Sequence, residues 1–120
     1  MTVRRLKTYA GSQGYVYQYY FVGSRGALAS SSESEATEYI FDVTSDRKST
    51  FAISVFLRND AVSSWSAAHG RALSEAERYG SVKVRLFQAF DDIEDLRQSG
   101  RELVIDSTTL EEAMAHLRVD

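Results

Sequence analysis

The chain has 120 residues, with no cysteine, no proline, and 14 basic against 17 acidic side chains, for a formal net charge of −3. This length predicts one domain, because two self-sufficient cores rarely fit in so short a chain. The absence of cysteine excludes disulfides, thiolate metal sites and a cysteine nucleophile. The mild acidic excess argues against binding to duplex DNA, since a basic surface supplies most of the affinity of such proteins.

No segment carries an export or membrane signal. No stretch approaches the roughly 18 apolar residues of a spanning helix. The charges at the N-terminus are not followed by an apolar run of signal-peptide length. We therefore expect a cytoplasmic protein with no membrane partner.

The first half of the chain alternates with the period of two that is typical of β-strands. Residues 3–9, 15–22, 38–44 and 50–57 are the four segments with this pattern. Their short connections favour an antiparallel meander, because a parallel pair needs a long crossover. The small polar residues at 23–34 predict a mobile, serine-rich loop.

The second half changes to the period of a helix. Asn59 or Asp60 is placed to cap a first helix, which Gly70 ends in a left-handed turn. Ser74 and Glu77 form a capping box, the signature of a helix N-terminus. A second, longer helix is therefore predicted from this point.

The longer helix carries the clearest apolar stripe of the chain, over residues 79–96. Residues 102–106 predict a short fifth strand, and Thr108 is placed to start a terminal helix. The predicted fold is a single α+β domain over residues 1–120, in the order ββββααβα. Its helices pack on one face of a four-stranded antiparallel meander.

Four carboxylates occupy five positions near the end of the long helix: Asp91, Asp92, Glu94 and Asp95. Negative charge is unfavourable at a helix C-terminus. A divalent cation held by oxygen ligands would explain the cluster. Alternatively, the helix stops near Phe90 and Asp92 caps a new one that Gly100 closes. We favour this second explanation and predict no metal site.

Three tyrosines share one face of the second strand: Tyr15, Tyr17 and Tyr19. They fit a core beneath the long helix, a patch that binds a protein, or a platform for single-stranded nucleic acid with Arg5 and Lys7 beside the rings. Because this strand is apolar on both faces, helices that cover one face leave the other in need of a cover. Dimerisation through the sheet would supply it.

Two histidines limit acid–base chemistry. His69 and His116 both fall in the last turn of a predicted helix, where the helix dipole favours a protonated imidazole. As an alternative, His69 would act as a general base beside Asp91 or Asp92, in a pocket between the sheet and the helices. No motif for a nucleophile or an oxyanion hole accompanies it, so no catalytic residue is predicted.

These patterns together predict a non-catalytic interaction domain that self-associates through an aromatic face of its sheet. Its expected partner is a second copy or another protein, and no cofactor is expected. Two alternatives remain open. One is a small-molecule-binding protein or small enzyme with a pocket near His69, and the other is single-stranded nucleic-acid binding by the tyrosine face.

Overall fold

The computed structural model describes residues 6–11, 14, 16–28, 35–93 and 95–117, with only the backbone for Leu28. The elements in chain order are β1 (Lys7–Ala10), β2 (Val16–Leu28), β3 (Glu35–Thr44), β4 (Phe51–Arg58), α1 (Asn59–His69), α2 (Glu75–Asp92), α3 (Leu96–Ser99), β5 (Glu102–Ile105) and α4 (Ser107–His116).

The strands form one sheet in the order β1-β2-β3-β4-β5. The first four pair antiparallel, as the meander requires, whereas β5 pairs parallel to β4. A parallel neighbour needs a long crossover, and α1, α2 and α3 supply it between these two strands. The predicted α+β fold, a meander followed by helices, a fifth strand and a terminal helix, is confirmed.

The second strand is longer than predicted. β2 continues to Leu28, so residues 23–28 belong to the sheet and not to the predicted mobile loop. The reason is tertiary: β3 supplies hydrogen bonds along this whole stretch, with Arg25 directly opposite Glu38. Strand preference depends strongly on such context. Residues 29–34 of the predicted loop lie outside the described residues.

The first helix begins earlier than predicted and the second as predicted. Arg58, and not Asn59 or Asp60, is the N-cap residue of α1 and makes no side-chain cap, whereas Gly70 ends the helix at a φ of 71° as expected. The predicted capping box of α2 is present: the Glu77 backbone N–H donates to Ser74 Oγ at 3.1 Å. The Ser74 N–H donates to Glu77 Oε1 at 2.9 Å.

The last two helices begin at other residues than predicted. The chain is capped anew after α2, but by Asp95 and not by Asp92, so the short α3 is added to the predicted order. Likewise Asp106, and not Thr108, caps α4. In both cases an aspartate carboxylate accepts a backbone N–H of the first turn, which is the usual role of this residue at an N-cap.

The core lies between the helices and one face of the sheet. All four helices contribute side chains to it, and its fully buried members include Phe41, Ile53, Val55, Trp65, Leu86, Phe90 and Leu110. A second, small apolar cluster lies on the other face, where Phe56 and Ala36 are buried with Ala27 and Val104 packed against them. No described helix residue belongs to this second cluster.

Candidate functional site

The tyrosine face is the face that the helices cover. Tyr17 and Tyr19 are only 3% and 4% exposed. The Tyr17 ring stacks on Phe90 of α2, with centroids 4.4 Å apart, and Tyr19 meets Phe87 edge-on at 5.7 Å. Burial raises the pKa of Tyr19 to about 12, because a desolvated phenolate is disfavoured. A ligand therefore has no access to the Tyr17 and Tyr19 rings in this fold.

The cations predicted beside these rings lie elsewhere or are not described. Arg5 and Tyr15 fall outside the described residues, and Lys7 is exposed on β1, opposite Tyr19 in the register. A cation that the sequence analysis missed does lie beside Tyr19. Lys83 Nζ is 5.3–5.4 Å from the ring centroids of Tyr19, Tyr79 and Phe87. Burial lowers the pKa of Lys83, and the charge of Lys7 lowers it further.

His69 joins two helices. Its Nε2 lies 2.7 Å from Glu111 Oε1 on α4, and its ring stacks on Trp65 at a centroid distance of 4.3 Å. The predicted partners, Asp91 and Asp92, end α2. The histidine therefore has a carboxylate neighbour, but a different one, and its contacts are those of a residue that holds α1 against α4.

Asp91 has a partner on the sheet. The Tyr9 hydroxyl donates to Asp91 Oδ2 at 2.8 Å, which ties β1 to the end of α2. This hydrogen bond, with burial, raises the pKa of Tyr9. Asp92 is exposed. Within the described part of the chain, which omits Glu94, no three His, Asp or Glu side chains are grouped to hold a metal.

The opposite face of the sheet, which we call the open face, has no helix packed on it within the described ranges. Its residues include Val16, Gln18, Tyr20, Arg25 and Ala27 of β2, with Val22 at the bulge between Phe21 and Gly23, Ala36, Glu38, Ile40 and Asp42 of β3, Ala52, Ser54, Phe56 and Arg58 of β4, and Glu102 and Val104 of β5. Val16 is 47% exposed and Val22 is 38% exposed. The face therefore combines exposed aliphatic groups on β2 with the small cluster around Phe56.

The polar groups of the open face on β2 and β3 form pairs within its plane, while Glu102 is exposed at the β5 edge. The Tyr20 hydroxyl donates to Asp42 Oδ2 at 2.7 Å. Glu38 accepts from Arg25 Nε at 2.8 Å and from Ser54 Oγ at 2.6 Å, and is only 7% exposed. Burial alone would raise the pKa of Glu38, but the two hydrogen bonds and the Arg25 charge outweigh it and lower that pKa. Glu38 is thus a carboxylate whose negative charge is compensated by Arg25, on a face that no described helix covers.

Cavities lie around the first turn of α1 in the part of the chain that the structure describes, and three of them have a lining that bears on function. The one on the helix side of the sheet, which we call the Arg78 cavity, has a volume of about 270 Å³ and is lined by Thr37, Leu57, Asn59, Val62, Ser63 and Arg78. A cavity of about 340 Å³ at the ends of β2 and β3 is lined by Gly26, Ala27, Glu35, Ala36 and Asn59. His69 lines neither of them.

The third cavity, of about 240 Å³, lies between the N-termini of α1 and α4. It is lined by Arg58, Asp60, Asp106, Ser107 and Thr108. Arg58 Nη2 contacts Asp60 Oδ2 at 2.6 Å. Hydrogen bonds from Thr109 lower the pKa of Asp106, and the Arg58 charge adds to that effect. The cation of this cavity is therefore balanced by the chain's own carboxylates.

Comparisons with protein-family models, with curated proteins and with solved structures give no significant match. Across the described residues, no helix is long and apolar enough to cross a membrane. Function must therefore be inferred from the surfaces themselves. The two features on which an inference can rest are the open face and the Arg78 cavity.

Proposed function

We propose that this chain is a non-catalytic interaction domain that self-associates through the open face of its sheet, with two copies packed face to face. The observation that carries the proposal is the placement of α1, α2, α3 and α4 on one face of the sheet, with no helix on the other face among the described residues. The open face lies opposite Tyr17 and Tyr19. The proposed interface is therefore mainly aliphatic, with the Tyr20 and Phe56 rings as its aromatic members. We also infer a cytoplasmic location, which suits a chain without cysteine.

Charge supports a second copy as the occupant. Burying an unpaired charge in an interface is costly. On the open face Glu38 already has Arg25 and Ser54 as partners, and Asp42 has the Tyr20 hydroxyl. Two copies can therefore approach over β2 and β3 without leaving either of these carboxylates unpaired, and the third carboxylate, that of Glu102, lies on the edge strand β5. A two-fold dimer packs the same patch of each copy against the other. The internal pairing of Glu38 and Asp42 makes the open face compatible with such an arrangement.

The open face is large enough for an interface between two copies. Five strands spaced by about 4.8 Å give a width of roughly 24 Å, and a strand as long as β4 extends for roughly 26 Å. The projected area is thus on the order of 600 Å² before side-chain relief is counted, close to the roughly 800 Å² that each partner of a specific complex buries. Sheets that pack face to face in this way lie about 10 Å apart.

Sedimentation velocity on three proteins tests this proposal. The wild type is expected to have twice the 13.5 kDa mass of one chain at about 0.1 mM, where micromolar association is nearly complete. A double variant, Val16→Lys with Val22→Lys, is expected to be monomeric, because each ammonium would be buried between the sheets. Both valines are partly exposed in the single copy, so the substitutions leave its core intact.

The matched control is Ser64→Lys with Ala68→Lys, which adds the same two charges at exposed positions of α1. It is expected to sediment like the wild type. A wild type that stays monomeric at about 1 mM would rule out any association of useful strength. A double variant that still dimerises would show that the interface lies elsewhere.

A further inference from the structure

The Arg78 cavity has an unbalanced cation. Arg78 Nε is buried and has no hydrogen-bond partner within the part of the chain that the structure describes. No ion pair to its guanidinium occurs among those residues either. A buried donor left unpaired costs free energy. Arg58, in the neighbouring cavity, contrasts with it because it contacts Asp60.

The walls of the cavity supply further donors and no carboxylate. Thr37 and Ser63 bring hydroxyls and Asn59 brings an amide, while Leu57 and Val62 are apolar. Asn59 is also the first residue of α1, and the N-cap of that helix has no side-chain hydrogen bond. Backbone N–H groups in the first turn of a helix have no intrahelical acceptor, and this end of the helix dipole favours an anion. The cavity is therefore complementary to a negative group.

We propose that the Arg78 cavity binds a small organic carboxylate, with the carboxylate on the Arg78 guanidinium and the apolar part of the ligand against Leu57 and Val62. A guanidinium presents its donors in a plane that matches a carboxylate. A cavity of about 150 Å³ is known to hold benzene, so the roughly 270 Å³ here has room for one ring or a short branched chain with its acid group. This site is on the helix side of the sheet and does not depend on self-association.

Sodium benzoate is a suitable probe, because it combines a planar carboxylate with one ring. In a titration followed by amide NMR, the resonances of Asn59 and Ser63 are expected to shift and to saturate. Benzamide has nearly the same shape without the charge, and is expected to bind at least tenfold more weakly, since hydrogen bonds to charged groups are the stronger kind.

Two variants locate the anion. Arg78→Met keeps the length and apolar stem of the side chain, and is expected to weaken benzoate binding roughly ten- to hundredfold. Arg97→Met removes the same charge from exposed α3 and is expected to bind like the wild type. Thermal unfolding of each variant shows that it is folded, and Arg78→Met should lose little stability because the removed Nε has no partner.

Three outcomes with benzoate and benzamide would overturn the proposal. They are benzoate that shifts no resonance of the cavity, Arg78→Met that binds benzoate as well as the wild type, and benzamide that binds equally well. Tighter binding of inorganic phosphate than of benzoate would also contradict it, because the apolar walls would then have no role. None of these results bears on the mass measured for the open-face variants, so the two proposals fail separately.

Discussion

Replacing Phe90 by alanine tests whether the tyrosine face is core. This ring is fully buried on α2, stacks on Tyr17 at 4.4 Å, and has the Tyr9 and Tyr19 rings 5.6 and 5.8 Å away. Truncation removes a full side chain and leaves a cavity that neighbouring rings cannot fill by small shifts. Changes of this kind cost about 3–5 kcal/mol.

We therefore expect Phe90→Ala to lower the free energy of unfolding by about 4 kcal/mol and the thermal midpoint by roughly 15–25 °C. A domain of this size is typically stable by about 6–18 kcal/mol, so the variant should remain folded. Urea unfolding followed by tryptophan fluorescence measures the loss. Trp65 is the single tryptophan and is 2% exposed, so its emission reports on unfolding of the core.

Phe21→Ala is the matched comparison, because it deletes the same ring from the same side of the sheet. Phe21 is 37% exposed at the rim of the core, and its nearest ring, Tyr79, is 5.2 Å away. Its truncation should cost about 1–2 kcal/mol, roughly two thirds of the value of burying a whole phenylalanine side chain. Equal losses at Phe90 and Phe21, or a loss below about 1 kcal/mol at Phe90, would refute the assignment of the tyrosine face to the core.

Three smaller effects follow from caps and ion pairs. The hydrogen bond from the Arg71 guanidinium, together with the capping box, lowers the pKa of Glu77 from 4.5 to about 2. The ionised Glu77 therefore stabilises the fold above pH 4.5, and this contribution is lost as the pH falls through 2. Glu77→Gln should flatten the dependence of the unfolding free energy on pH in that range. Gly70→Ala should cost about 1 kcal/mol in thermal unfolding, because an L side chain is strained at positive φ, whereas Gly23→Ala has open space and no such strain. A double-mutant cycle on His69 and Glu111 should give a coupling of about 0.2–1 kcal/mol that high salt weakens, as their partial exposure implies; a larger, salt-independent coupling would contradict it.

The parts of the fold that depend on neighbours along the chain could be predicted from the sequence. The left-handed turn at Gly70 and the capping box at Ser74 are local arrangements, and each needs only its own few residues. The alternation over residues 16–21 of β2 likewise assigns each side chain to the correct face of the sheet. Nothing local says which face the helices cover, and the structure places them over Tyr17 and Tyr19.

The parts that depend on tertiary contacts could not be predicted. The polar side of the α2 stripe would ordinarily face water, yet Ser81 is fully buried, Arg85 Nε donates to the Val104 carbonyl, and Arg78 lines a cavity. These residues meet β5 and α1, which approach α2 only in the folded chain. The Arg78 cavity has no sequence signature, because its lining comes from β3, β4, α1 and α2.

The open face can be tested most directly by methyl NMR on dilution. If two copies pack through this face with a Kd on the order of 10 µM, the methyl resonances of Val16, Val22 and Ile40 shift between about 1 mM, where nearly all chains are paired, and about 10 µM, where roughly half are. The methyl groups of Leu117, which is 37% exposed at the end of α4, should keep their positions. Spectra that do not change with concentration while the protein sediments as a monomer, or shifts confined to the helix side, would contradict the proposal.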